Sequence, residues 1–88
     1  MNEPKVEITD KGFKIIPVTI EQVLSWGGLG ICDSCNLSTN SGKYIGVLNS
    51  YYCQECFDRW HKGAINYPDD RPYEDMHIED MLFRININ

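Results

Sequence analysis

Two Cys-x-x-Cys pairs, Cys32-Asp-Ser-Cys35 and Cys53-Gln-Glu-Cys56, constrain this chain more than any other feature. Residues 36–52 separate them, which gives the pattern C-x2-C-x17-C-x2-C. A two-residue gap lets the backbone turn so that both sulfurs of a pair face one point. A hairpin between the pairs then brings the second to the first. Zinc prefers four tetrahedral nitrogen or sulfur ligands with Zn–S about 2.3 Å, and this spacing falls within the zinc pattern. Cys32, Cys35, Cys53 and Cys56 are therefore the expected ligands of a structural Zn2+. Iron and a pair of disulfides are the alternatives, the latter disfavoured in a reducing cytosol. A thioredoxin-like redox role calls for one such pair inside a βαβ pattern, which this chain lacks.

Length makes a metal staple useful. With 88 residues there is room for one domain and no second core. A chain near this size buries only about 60–65% of its unfolded surface. The expected layout is a single domain over 1–88. Residues 1–30 form a β-hairpin plus helix, 31–64 the zinc-finger module, and 65–88 an acidic C-terminal helix and tail. No apolar run approaches the roughly 20 residues that span a bilayer, and Met1–Asp10 lacks a cationic start and apolar stretch. A soluble, cytoplasmic protein with no membrane partner is the expectation.

The two cysteine pairs have different settings. Asn36 follows the first pair, and asparagine tolerates the left-handed conformation that a knuckle requires. Leu37 is then placed to cover the sulfurs. After Cys56 comes Phe57-Asp58-Arg59-Trp60-His61-Lys62, without a turn residue. Phe57, Trp60 and Ala64 share one face of the helix this predicts. The second pair thus sits at a helix N-terminus, where the dipole and amide N–H groups favour thiolates. Iron in a rubredoxin-like site prefers two similar knuckles, so the asymmetry favours zinc.

This order of knuckle, hairpin and ligand-bearing helix resembles a treble-clef zinc finger. The seventeen-residue gap and Tyr52-Cys53-Gln54-Glu55-Cys56, followed by His61-Lys62, resemble the GATA-type branch of that group. The resemblance covers residues 31–64 and implies the treble-clef fold with Cys32, Cys35, Cys53 and Cys56 as ligands. GATA-type fingers also carry a tryptophan and adjacent arginines between the pairs, and a basic tail. Here residues 36–52 hold one basic residue, Lys43, and the tail is acidic.

Elsewhere the chain reads as α+β. Residues 5–18 suggest a hairpin: Val6 and Ile8 alternate with charges, Asp10-Lys11-Gly12 turns, and Phe13, Ile15 and Val18 follow. Thr19 and Gln22 make a capping box with Val18 stapling Val23. Ile20, Val23 and Leu24 form that helix's buried face, with Trp26 near its end before Gly27-Gly28 stops it. Glycine at position 30 allows close backbone approach. Tyr44–Leu48 reads as a strand, Asn49-Ser50 as a turn and Tyr51-Tyr52 as the returning strand. A last helix is predicted from Tyr73 or Glu74 to Phe83 or Arg84, with Ile78, Met81, Leu82 and Ile85 on one stripe. The alternation from Arg84 to Asn88 offers a short strand instead.

Charge and side-chain chemistry then sort the functions. Residues 66–88 hold Asp69, Asp70, Glu74, Asp75, Glu79 and Asp80 against Arg71 and Arg84, and so carry most of the formal charge of −5. The plain reading is a solvated helix face; the sharper one is a docking surface for a basic partner. His61 lies five residues past Cys56 as a spare ligand, and His77 reads as a hydrogen-bonded surface imidazole. The cluster of Trp26, Tyr44, Tyr51, Tyr52, Phe57 and Trp60 reads mainly as core, with Tyr51 and Tyr52 on opposite strand faces. Four cysteines closing a zinc shell leave no catalytic position, so no enzyme is expected. The expectation is a zinc-binding protein-interaction module, an adaptor or inhibitor of a larger protein whose identity is unknown. The alternative is a nucleic-acid-binding or transcriptional accessory finger. It would gain if Lys43, Arg59 and Lys62 were joined in space by Lys5, Lys11 and Lys14.

Overall fold

Strand β2 (Lys14–Thr19) organises the chain, because its apolar side chains alternate so that both of its faces are buried. The computed structural model describes residues 5–25 and 27–86, without the side chains of residues 85 and 86. Strand β1 (Glu7–Ile8) precedes β2, and helix α1 (Ile20–Ser25) follows it directly. Strands β3 (Ser41–Ile45) and β4 (Ser50–Tyr52), helix α2 (Gln54–Gly63), a 3-10 turn over Pro68–Asp70 and helix α3 (Arg71–Asn86) complete the order. The four strands form one antiparallel sheet in the order β1-β2-β3-β4. The N-terminal hairpin and the hairpin between the cysteine pairs are therefore one sheet, joined through β2 and β3 from Ile15↔Ile45 to Thr19↔Ser41.

Helices cover both faces of that sheet. Ile16, Val18, Tyr44 and Tyr51 pack with Val23 of α1 and with Ile78 and Met81 of α3. On the opposite face Ile15, Ile45 and Tyr52 meet Phe57 and Trp60 of α2. Tyr51 and Tyr52 do point to opposite faces, and both faces are covered, so neither ring is left on an open side. Each aliphatic side chain so buried contributes roughly 1.5–3 kcal/mol.

Local signals set the ends of the first elements. Thr9 N–H donates to Phe13 O at 2.9 Å and Gly12 N–H to Thr9 O at 2.8 Å, closing the β1–β2 turn with Gly12 at φ 86°. Thr19 N–H donates to Gln22 Oε1 at 2.9 Å, and Gln22 N–H returns a bond to Thr19 Oγ1 at 3.3 Å. That is the capping box, and Val18 and Val23 pack in one cluster as its staple. At the far end of α2, Lys11 Nζ reaches back to the carbonyls of Lys62 and Ala64 at 3.0 and 3.1 Å. A cation there complements the helix dipole.

Several expectations need correction. Strand β1 is short and lies at the edge of the sheet, where Val6 and Ile8 are exposed. Leu24 is also exposed: a six-residue helix turns only a narrow stripe inward, and Val23 holds it. Strand β3 begins and ends three residues earlier than its hydrophobic run suggests. Gly46 to Asn49 form the turn, with Asn49 in the left-handed region at φ 51° and its Oδ1 accepting from Tyr44 Oη at 2.6 Å. Helix α3 starts at Arg71 and accommodates Pro72 in its first turn, where a missing N–H costs nothing. It stays helical through Asn86, which removes the strand alternative up to that residue. Trp26, Ile87, Asn88 and the side chain of Ile85 lie outside the described residues.

The acidic helix is not simply a solvated face. Glu74 is 3% exposed, and its Oε2 accepts a bond from Lys14 N–H at 3.1 Å. Lys14 Nζ pairs with Asp75. Lys14 thus draws one flank of α3 onto β2, which the run of acids in the sequence does not reveal. Among the described residues no helix is long and apolar enough to cross a membrane.

Candidate metal centre

The first cysteine pair rides on a tight knuckle between α1 and β3. Cys32 N–H donates to Leu37 O at 3.0 Å, Asn36 N–H to Cys32 O at 2.9 Å, and Thr39 N–H to Gly30 O at 3.0 Å. An isolated bridge pairs Ile31 with Ser38. Asn36 takes the left-handed conformation, φ 63°, as its position after Cys35 predicts. Gly30 lets α1 approach: a Cβ there would lie 2.1 Å from Ile20 Cδ1, and the φ of 71° suits glycine as well. Leu37, expected to cover the sulfurs, instead points outward at 68% exposure. In so tight a knuckle its backbone carbonyl does the closing and its side chain is turned away.

The second pair belongs to α2. Cys53 is the N-cap, with φ −68° and ψ 167°, and Phe57 N–H donates to its carbonyl at 2.8 Å. Cys56 lies in the first turn and is buried, as is Cys32. Cys35 and Cys53 are half-buried.

These elements bring the four sulfurs into one cluster. All four Sγ atoms lie within 4.8 Å of one another, and Cys35 Sγ is 3.9 Å from Cys53 Sγ. A regular tetrahedron of sulfurs at the usual Zn–S bond length has edges of about 3.8 Å. The cluster therefore needs no more than about 1 Å of closure to seat an ion, and all four thiols are free. The donor set fits a thiophilic divalent ion, and the four cysteines are arranged to bind one.

The thiols are unequal in their acidity. Burial raises Cys32, but backbone N–H groups of Cys35, Cys53 and Ser34 outweigh it and bring the thiol down to about 6. Ser34 N–H lies 3.4 Å from its sulfur. Burial, and then the adjoining Cys53, push Cys56 up to about 12. Four crowded thiolates repel one another, so full ionisation requires a cation among them.

A residue that sequence reasoning missed fixes the distance between the pairs. Asp33, inside the first pair, donates its N–H to Tyr51 O at 2.8 Å and accepts Tyr51 N–H on Oδ2 at 2.8 Å. The one available signal is its place in the knuckle, where an aspartate is suited to accept a backbone N–H. His61 is not in the sulfur cluster. Its ring stacks on Phe57 with centroids 5.6 Å apart, and Phe13 lies at 6.0 Å. His77 Nδ1 sits 2.8 Å from Gly46 O, at the β3–β4 turn.

Fold and site together define a small α+β domain built around a tetracysteine metal centre. No protein-family model, no curated protein and no solved structure matches the chain.

Proposed function

We propose that the bound ion is structural Zn2+ and that the domain is a protein-interaction module, an adaptor or inhibitor of a larger cytoplasmic protein. The observation that carries this reading is the sulfur cluster itself, four thiols within 4.8 Å drawn from a knuckle and a helix N-terminus. Four thiolates close a tetrahedral shell and leave no position for water or substrate, which supports a structural and not a catalytic ion. The inequality of the knuckle and the helix supports zinc over iron. The succession of knuckle, β3–β4 hairpin and α2 supports a treble-clef arrangement of the GATA type for residues 31–64.

The lysines support a protein partner over nucleic acid. Lys11 is held at the C-terminal carbonyls of α2, Lys14 at Asp75, and Lys43 Nζ over the Phe57 ring at 4.7 Å. Arg59 and Lys62 share α2 with Glu55 and Asp58. Lys11, Lys14 and Lys43 are thus each committed to a carbonyl, a carboxylate or a ring, and acids interleave the bases of α2, whereas a phosphate backbone draws on clustered cations free to meet it.

Affinity enrichment from the native host tests this, with the intact chain beside its Cys53→Ser variant. The expected result is a protein that co-elutes with the zinc-loaded chain and is lost with the variant. Retention of duplex DNA at low salt, with no protein retained, would contradict it.

A further inference from the structure

Helix α3 carries large apolar side chains on two faces, and only one of them meets the sheet. Ile78 and Met81 point inward and are buried. At 3.6 residues per turn, Met76 and Phe83 fall on the opposite side and Tyr73 on the flank next to them. Tyr73, Met76 and Phe83 are 62%, 55% and 64% exposed. Scattered exposed hydrophobics are ordinary, but three on neighbouring faces within about 15 Å along one helix are a patch. A helix apolar on both sides is normally covered on both.

Charge says what would cover it. Glu79 and Asp80 lie on the same outward side as Met76 and Phe83, and Asp69 is exposed on the turn leading into the helix. Asp80 shares its charge with Arg84 through an exposed contact at 3.2 Å, whereas Glu74 and Asp75 are committed to Lys14. An apolar face with Asp80 between Met76 and Phe83 and Glu79 at its edge disfavours a second copy of this chain. Two such faces would bring like charges together in molecules that each carry −5. Anionic lipid is repelled in the same way. A basic amphipathic helix fits both features.

The geometry points to the outward face of α3, centred on Tyr73, Met76 and Phe83, as the docking site for a partner helix whose apolar stripe is flanked by lysines or arginines. This rests on the interaction-module reading and assigns its surface. The partner helix packs ridge into groove along α3, making α3 the inner layer between sheet and partner. Its basic residues meet Asp69 and Glu79 beside the apolar side chains and Asp80 between them, where they steer association and fix orientation more than they add affinity.

Two designed peptides of α3's own length, 16 residues, serve as probes against the isotope-labelled, zinc-loaded full chain. Both carry leucines at i, i+3, i+4 and i+7; one has lysine at the remaining positions and the other glutamate. The lysine peptide is expected to give saturable amide shifts centred on Tyr73, Met76 and Phe83. Affinity should fall by at least about tenfold with the glutamate peptide, and likewise in a Met76→Ser, Phe83→Ser double variant. Those two positions are exposed, so that variant keeps its zinc and its dispersed spectrum. Equal binding of both peptides, shifts centred on the knuckle or the β1 edge, no saturable binding, or self-association through α3 would each overturn the assignment. Such a result with zinc retained leaves the interaction-module reading standing. That reading fails separately, if no protein co-elutes with the intact chain.

Discussion

Asp33 and Tyr51 exchange two hydrogen bonds, one from each backbone N–H, and this exchange ties the knuckle of the first cysteine pair to the strand that delivers the second. Tyr51 stands two residues before Cys53, so the clamp sets the spacing of the two halves of the sulfur cluster. The Asp33 carboxylate sits beside ligands without being one, the place from which outer groups tune metal affinity. Asp33→Ala leaves Tyr51 N–H without its acceptor, at a cost of about 1–3 kcal/mol. Metal affinity is expected to weaken by at least about tenfold, read by competition with a chromogenic chelator. An unchanged affinity would remove Asp33 from the site.

Gly46 lies where α3 crosses the β3–β4 turn. A Cβ on it would lie 2.7 Å from Ile78 Cγ1 and 3.2 Å from Glu74 Cγ. Gly46→Ala must therefore lift α3 from the sheet, at about 1–3 kcal/mol of overpacking strain. The denaturant midpoint should fall while chelator-measured zinc affinity stays near its original value, because the turn is on the α3 face and not at the sulfurs. Loss of zinc in parallel would show that the two regions are not separable.

Glu74 gives a companion test of the same contact. Glu74→Gln keeps an acceptor for Lys14 N–H and should cost little, whereas Glu74→Ala leaves that donor unpaired and should cost about 1–3 kcal/mol. Equal destabilisation by the two variants would show that the carboxylate's charge, and not its hydrogen bond, holds α3 down.

The acidity of the thiols sets a pH dependence for metal binding. Cys56, pushed up to about 12, must release a proton to the solvent whenever an ion binds at neutral pH. Cys32, brought down to about 6, already carries its charge there. As pH falls through about 6, Cys32 also becomes protonated and one further proton must be displaced. The plot of log affinity against pH should therefore steepen by one proton below about pH 6. A constant slope across that range would contradict the lowered acidity assigned to Cys32.

Signals that act over a few residues were legible in the sequence. The Thr19–Gln22 box, the left-handed Asn36 and the start of α2 at the second cysteine pair follow from local chemistry and appear as expected. The four cysteines were legible because metal-ligand spacing is itself a sequence pattern. The clamp from Asp33 to Tyr51 spans 18 residues, and the bond from Lys14 to Glu74 spans 60. No local rule couples residues so far apart, so the acids of α3 read as one exposed run although Glu74 is buried. The shared sheet was hidden for a similar reason. Nothing within 5–18 or 41–52 states that β2 pairs with β3 rather than closing a separate hairpin. The exposure of Leu24 and Leu37 came from geometry as well, since a short helix and a tight knuckle have too few inward positions for every apolar side chain.

The central claim is that one zinc ion draws Cys32, Cys35, Cys53 and Cys56 into a single shell. X-ray absorption at the metal edge, with elemental analysis of the same purified native protein, tests it most directly. One zinc per chain, surrounded by four sulfurs at about 2.3 Å, is the result expected. Metal-free protein with its cysteines joined in disulfides, or zinc bound by fewer than four sulfurs with water completing the shell, would contradict the account.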